Sequence, residues 1–133
     1  MKLDVTAYSG RKFDWHKYNC CDFAADYWRD LTGQDLRDGF DMAIRGDGNN
    51  RHDLIKATRK LIIHVFHDTL TEVPPLMSML PELTIGRFEG RFIPLHVGVC
   101  SEGMIAHLEK SGKPTVQPID TISSDYTKIQ FYR

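Results

Sequence analysis

The apolar residues of this chain follow one period before Val73-Pro74-Pro75 and another after it, and that switch limits the fold more than any other feature. Cys20, Ala24, Tyr27 and Leu31 fall on one helical stripe, with Cys21, Ala25 and Trp28 beside it. An amphipathic helix over 19–31 is predicted, with Asn19 as its N-cap and Gly33 as its stop. Asp35 is placed to cap a short second helix carrying Leu36, Phe40 and Ile44, which ends in the turn Gly46-Asp47-Gly48-Asn49. Asn50 with Asp53 resembles a capping box for a third, with Leu54, Ala57, Leu61 and Val65 as its apolar stripe. Beyond the segment Val73 to Pro81 the expected elements are strands at Leu83 to Phe88, Arg91 to Cys100, Met104 to Glu109, Thr115 to Ile119 and Lys128 to Tyr132. Gly90, Ser101-Glu102-Gly103 and Ser111-Gly112-Lys113-Pro114 separate them as turn signals. Helices followed by an antiparallel meander of about five strands make an α+β domain.

At 133 residues the expectation is one domain over 1–133, a helical half over 1–72 and a β half over 82–133. Seventeen Lys and Arg against eighteen Asp and Glu leave a net charge of -1, which argues against nucleic acid or an anionic membrane as partner. The start MKLDVTAYSGRK has no apolar core of a signal peptide, so a soluble protein is expected. Three cysteines cannot all pair, and a bridge between the adjacent Cys20 and Cys21 would be badly strained. The count points to thiol chemistry or to plain packing.

A cysteine in the first turn of a helix feels the positive end of the helix dipole, which favours its reactive thiolate. It then needs an imidazole to hold the proton and a polar group to orient that imidazole. The strand Leu95-His96-Val97-Gly98-Val99-Cys100 offers His96, and the next, Met104-Ile105-Ala106-His107, offers His107 across a tight turn. Each also has a plain reading: Cys20 and Cys21 as small core residues, His96 as a satisfied core histidine, His107 as a surface residue of an edge strand. Cys100 shares a strand face with His96 and is expected to be a core thiol. His64 and His67, three apart with Asp68 beside them, lack further ligands at a familiar spacing, so neither metal nor cofactor is expected. The basic and aromatic run Gly86 to Phe92 is expected to be an exposed hairpin. His16 and His52 are expected at the surface, and Trp15 and Tyr18, just before Cys20, are placed either to line a substrate groove or to form a lid over the helix end.

Taken in order, Cys20 at a helix start, Phe23-Ala24-Ala25-Asp26-Tyr27-Trp28, His96-Val97-Gly98-Val99 and then His107 resemble the NlpC-type papain-like cysteine peptidases. Phe13-Asp14-Trp15, Asn19-Cys20-Cys21-Asp22 and Leu31-Thr32-Gly33-Gln34-Asp35 are similar to the small members of that superfamily encoded in bacteriophage tail modules. The resemblance implies N-terminal helices packed on an antiparallel sheet. It implies Cys20 as nucleophile, His96 as general base and acid, and His107 as the residue that orients His96. Trp15, Tyr18 and Asn19 would contact substrate. The backbone N–H of Cys20 would face the oxyanion. The implied reaction is amide hydrolysis in bacterial cell-wall peptide through a thioester, without cofactor. The implied setting is a virion tail, or the host cytoplasm before release, with other tail proteins as partners. Asn19 stands where the family usually has Asp, and His16 where Gly is common. These two departures leave a catalytically silent tail or assembly module as the alternative, and an acyl or amide transferase on the same scaffold is another.

Overall fold

In the computed structural model, which describes residues 1–11, 19–36, 64–91, 95–109 and 111–133, helix α1 runs over Cys20–Thr32. Its ends follow from local chemistry. Asn19 is extended, and its Oδ1 accepts from the N–H of Cys21 at 3.0 Å and of Asp22 at 3.2 Å. The Asp22 carboxylate accepts in return from the Asn19 N–H at 3.0 Å, so three donors that the helix start would orphan are satisfied by the cap. At the other end Gly33 has φ 78°, a conformation free of strain only without a Cβ, and its N–H returns to the Arg29 carbonyl at 2.8 Å.

Every residue of α1 from Cys20 to Trp28 is buried. Tyr8, from a 3-10 turn at Thr6–Tyr8, meets Phe23 edge to face at 5.3 Å and Tyr27 at 5.6 Å. Asp26, the charged residue on this buried surface outside the cap, accepts from Arg11 at 2.8 Å and pairs with Arg29 at 3.5 Å. The N-terminal strap is therefore fastened to α1 both by ring packing and by charge.

Among the described residues the sheet has six antiparallel strands: β1 (Glu72–Val73), β2 (Thr84–Glu89), β3 (His96–Ser101), β4 (Met104–Leu108), β5 (Pro114–Pro118) and β6 (Lys128–Tyr132). Their order is β1-β6-β2-β3-β4-β5. The α+β class therefore holds, with α1 lying across β3 and β4. The meander is correct only from β2 to β5. A short helix α2 (Ile119–Ser123) then carries the chain back, and β6 inserts between β1 and β2. The expected strand Thr115 to Ile119 shifts to Pro114–Pro118, and its two prolines are tolerated because β5 is an edge strand with one side unpaired. Glu102 and Gly103, at φ 53° and 77°, form the tight turn between β3 and β4.

Two cores result, one on each face of the sheet. Val97, Val99, Ala106 and Leu108 pack against α1, while Phe88, Cys100, Ile105 and Phe131 pack against Ile119 and Ile122 of α2. Gly86 to Glu89, expected in an exposed hairpin, lies instead in the inner strand β2. Phe88 is fully buried there, and Arg87 pairs with Glu89 at 2.7 Å. Alternation explains the correction, since a strand buried on both faces has no outward side for its aromatic residues. Trp15, Tyr18, His16, His52, the turn at Gly46, the third helix up to residue 63 and most of the second helix lie outside the described residues, as does Phe92. His64–Thr69 form a π-helical turn. Among the described residues no helix is long and apolar enough to cross a membrane.

Candidate active site

Cys20 opens α1, His96 opens β3, and the two chain segments meet at that end of the sheet. The Asn19 cap uses the N–H groups of Cys21 and Asp22 and not that of Cys20. Cys20 is thus the first helical residue, with its amide outside the capping bonds, in the position that favours an anion.

The alternation of β3 and β4 turns both histidines toward the face opposite α1. His96 stands directly across from Phe88 on β2. Its Nε2 lies 2.8 Å from Nδ1 of His107, and the two rings meet edge to face at 4.9 Å. Nε2 of His107 lies in turn 2.8 Å from Oε1 of Gln117 on β5. The register accounts for that second contact: Thr115 is the direct partner of His107 and Gln117 that of Ile105, so Gln117 is its diagonal neighbour on the same face. Tyr126 lies flat against His96, with ring planes 9° apart and centroids at 6.0 Å, while Phe88 flanks it at 6.2 Å. His96 and His107 are only 8% and 5% exposed, so their ring nitrogens are satisfied within the protein.

The electrostatics of the thiols separate the three cysteines. The Cys20 thiol is held well below the ordinary range by a hydrogen bond from Cys21, by a hydrogen bond to His96 and its positive charge, and by the backbone N–H of Val97; together these outweigh its burial. Because Nε2 of His96 is engaged by His107, Nδ1 is the nitrogen left for Cys20. His107 is pushed below its usual value by burial and by the charge of His96, with its bond to Gln117 opposing. Two facing imidazoles cannot both be cationic at little cost, and His107 is the one whose cation is disfavoured. Tyr126 is pushed up to about 12 by burial and then by the Cys20 charge, which keeps its phenol neutral. Cys100 is raised by burial, only partly offset by the Gly86 N–H, and lies fully buried in the second core. It is the inert core thiol expected of it.

The structure therefore brings Cys20, His96 and His107 together. Asn19 is buried beside them with its side-chain oxygen engaged in the cap. Cys21, read from sequence as packing, is also the largest influence lowering the Cys20 thiol. Gln117 and Tyr126 were not foreseen. Gln117 carried a weak signal, because a hairpin closed around Ser111-Gly112-Lys113 places it on the face of His107. Tyr126 carried none, since it reaches the site only through the return crossover. Among the described residues no three His, Cys, Asp or Glu side chains group as a metal site.

A family model described as a domain of unknown function, DUF6950, matches residues 3–124. The chain belongs to that family. The match spans α1, β1 to β5 and α2, so every member of the Cys20, His96, His107 and Gln117 cluster lies inside the DUF6950 domain. No curated protein and no solved structure matches this DUF6950 chain.

Proposed function

We propose that this protein is a thiol hydrolase of the NlpC-like, papain-like type, acting on an amide bond of bacterial cell-wall peptide. The observation that carries the reading is the linked set of side chains: a buried thiol at the first position of a helix, beside His96, whose Nε2 is held 2.8 Å from Nδ1 of a second imidazole, His107. Resemblance to the phage-tail branch supports the cell-wall substrate and the tail setting.

In this reading the Cys20 thiolate attacks the amide carbonyl carbon and forms a carbon–sulfur bond, while the carbonyl electron pair moves to oxygen. The backbone N–H of Cys20 donates to that oxyanion. His96, protonated at Nδ1, gives its proton to the leaving nitrogen as the carbon–nitrogen bond breaks, and a thioester remains. Water then loses a proton to His96 and attacks the thioester, and the acid leaves with Cys20 restored as thiolate. His107 acts through His96 by holding its ring in plane.

Incubation of purified peptidoglycan with the protein, followed by mass spectrometry, tests the reading. Soluble fragments cut at one type of peptide bond are expected, and none with Cys20→Ser. Identical fragments from both proteins, or none from either, would overturn the hydrolase reading in favour of a silent tail module. Products extended by an added amine would point to transfer.

A further inference from the structure

We infer that Gln117 is a positioning residue that sets the direction of every hydrogen bond through the cluster, so that His96 presents an accepting nitrogen to Cys20. The inference rests on the thiol-hydrolase reading and extends it by one residue. An amide oxygen has no proton to give. At 2.8 Å from Gln117 Oε1, Nε2 of His107 must therefore carry the hydrogen and donate it. A neutral imidazole carries one proton, which leaves Nδ1 of His107 as an acceptor. That nitrogen, 2.8 Å from Nε2 of His96, takes its hydrogen bond, so the proton of neutral His96 is fixed on Nε2. Nδ1 of His96 is then the nitrogen with a lone pair, and it is the one left for the thiol.

The opposite direction disables the site. Were His107 protonated at Nδ1, Nε2 of His96 would have to accept, and a neutral His96 would carry its proton on Nδ1. It could not then take a proton from Cys20 or from water. Holding the orienting residue in one tautomer is thus a condition for general-base chemistry. Gln117 meets it without adding charge beside the thiolate, which a carboxylate at this place would do.

The test combines ring nitrogen NMR of 15N-histidine-labelled protein with the rate of Cys20 alkylation by iodoacetamide, in wild type, Gln117→Glu and Gln117→Leu. In wild type His107 is expected as the Nε2–H tautomer. Gln117→Glu, whose carboxylate also only accepts, keeps that tautomer. Gln117→Leu lets the Nδ1–H form appear and slows Cys20 by about tenfold. Wild-type His107 in the Nδ1–H form with a fast Cys20 would overturn the role of Gln117 alone. So would Gln117→Leu with an unchanged rate. Nε2–H His107 beside a Cys20 no faster than Cys100 would overturn the hydrolase reading and the positioning role with it.

Discussion

His96 Nε2 and His107 Nδ1 lie 2.8 Å apart at the end of the sheet where helix α1 begins. Side chains from two neighbouring strands are thereby fixed by one hydrogen bond, and a thiol from a separate element completes the set. Burial and then the charge of His96 disfavour the cation on His107, while Cys21, His96 and the Val97 N–H together hold the Cys20 thiol low.

Acid should therefore weaken the fold through His107. Its value in the folded state is below that of the unfolded chain, near 6.5, so the unfolded state binds a proton that the folded state refuses. Stability is full above about pH 6.5 and falls as the pH drops from there toward the folded value. Melting temperatures measured between about pH 7.5 and about pH 5 are expected to decline, with a shallower decline in His107→Asn. An equal slope in both proteins would contradict the assignment.

The glycine of His96-Val97-Gly98-Val99 is required by packing. A Cβ at Gly98 would stand 2.5 Å from Cδ1 of Ile105 and 2.9 Å from the Ala106 carbonyl oxygen, and the second of these is backbone and cannot swing away. Gly98→Ala is expected to cost about 1–3 kcal/mol in urea denaturation. No loss would mean that β3 and β4 are not registered as described.

Asn19→Ala should remove the cap of α1 and cost about 1 kcal/mol, with a slower Cys20 because the helix start loosens. Asn19→Asp keeps an accepting oxygen in the same place and should retain stability. Denaturation midpoints and alkylation rates of the two variants check this. Matching losses in both would show that the side chain matters for something other than capping.

Tyr126 stacks on the imidazole of His96, an arrangement worth about 0.5–1.5 kcal/mol beyond area burial. Tyr126→Phe preserves the ring and should leave turnover within a few-fold, whereas Tyr126→Leu should lower it by about tenfold. Turnover of a peptidoglycan fragment by both variants provides the comparison. A loss as large in Tyr126→Phe would assign the role to the hydroxyl.

Local rules carried much of this site. The cap at Asn19, the stop at Gly33 and the turn at Glu102-Gly103 each follow from the chemistry of a few adjacent residues, and they place Cys20 and the two histidine strands. The return of β6 between β1 and β2 does not, because strand order depends on long-range pairing that alternation leaves open. Tyr126 was missed for that reason, and Phe88 was misjudged because a strand buried on both faces lacks the alternation that marks one side as exposed. Gln117 looked like any polar residue of an edge strand until register set it beside His107.

The central claim is that Cys20 is a thiolate nucleophile maintained by His96, and its alkylation rate as a function of pH tests it most directly. An ordinary thiol, with a pKa near 8.5, loses about tenfold in thiolate for each unit of acidification. Cys20 is expected to react with iodoacetamide far faster than Cys21 or Cys100 at about pH 6.5, with little loss of rate from about pH 8, and His96→Ala should restore the ordinary dependence. Slow and equal labelling of all three cysteines, or a Cys20 profile unchanged by His96→Ala, would contradict the account.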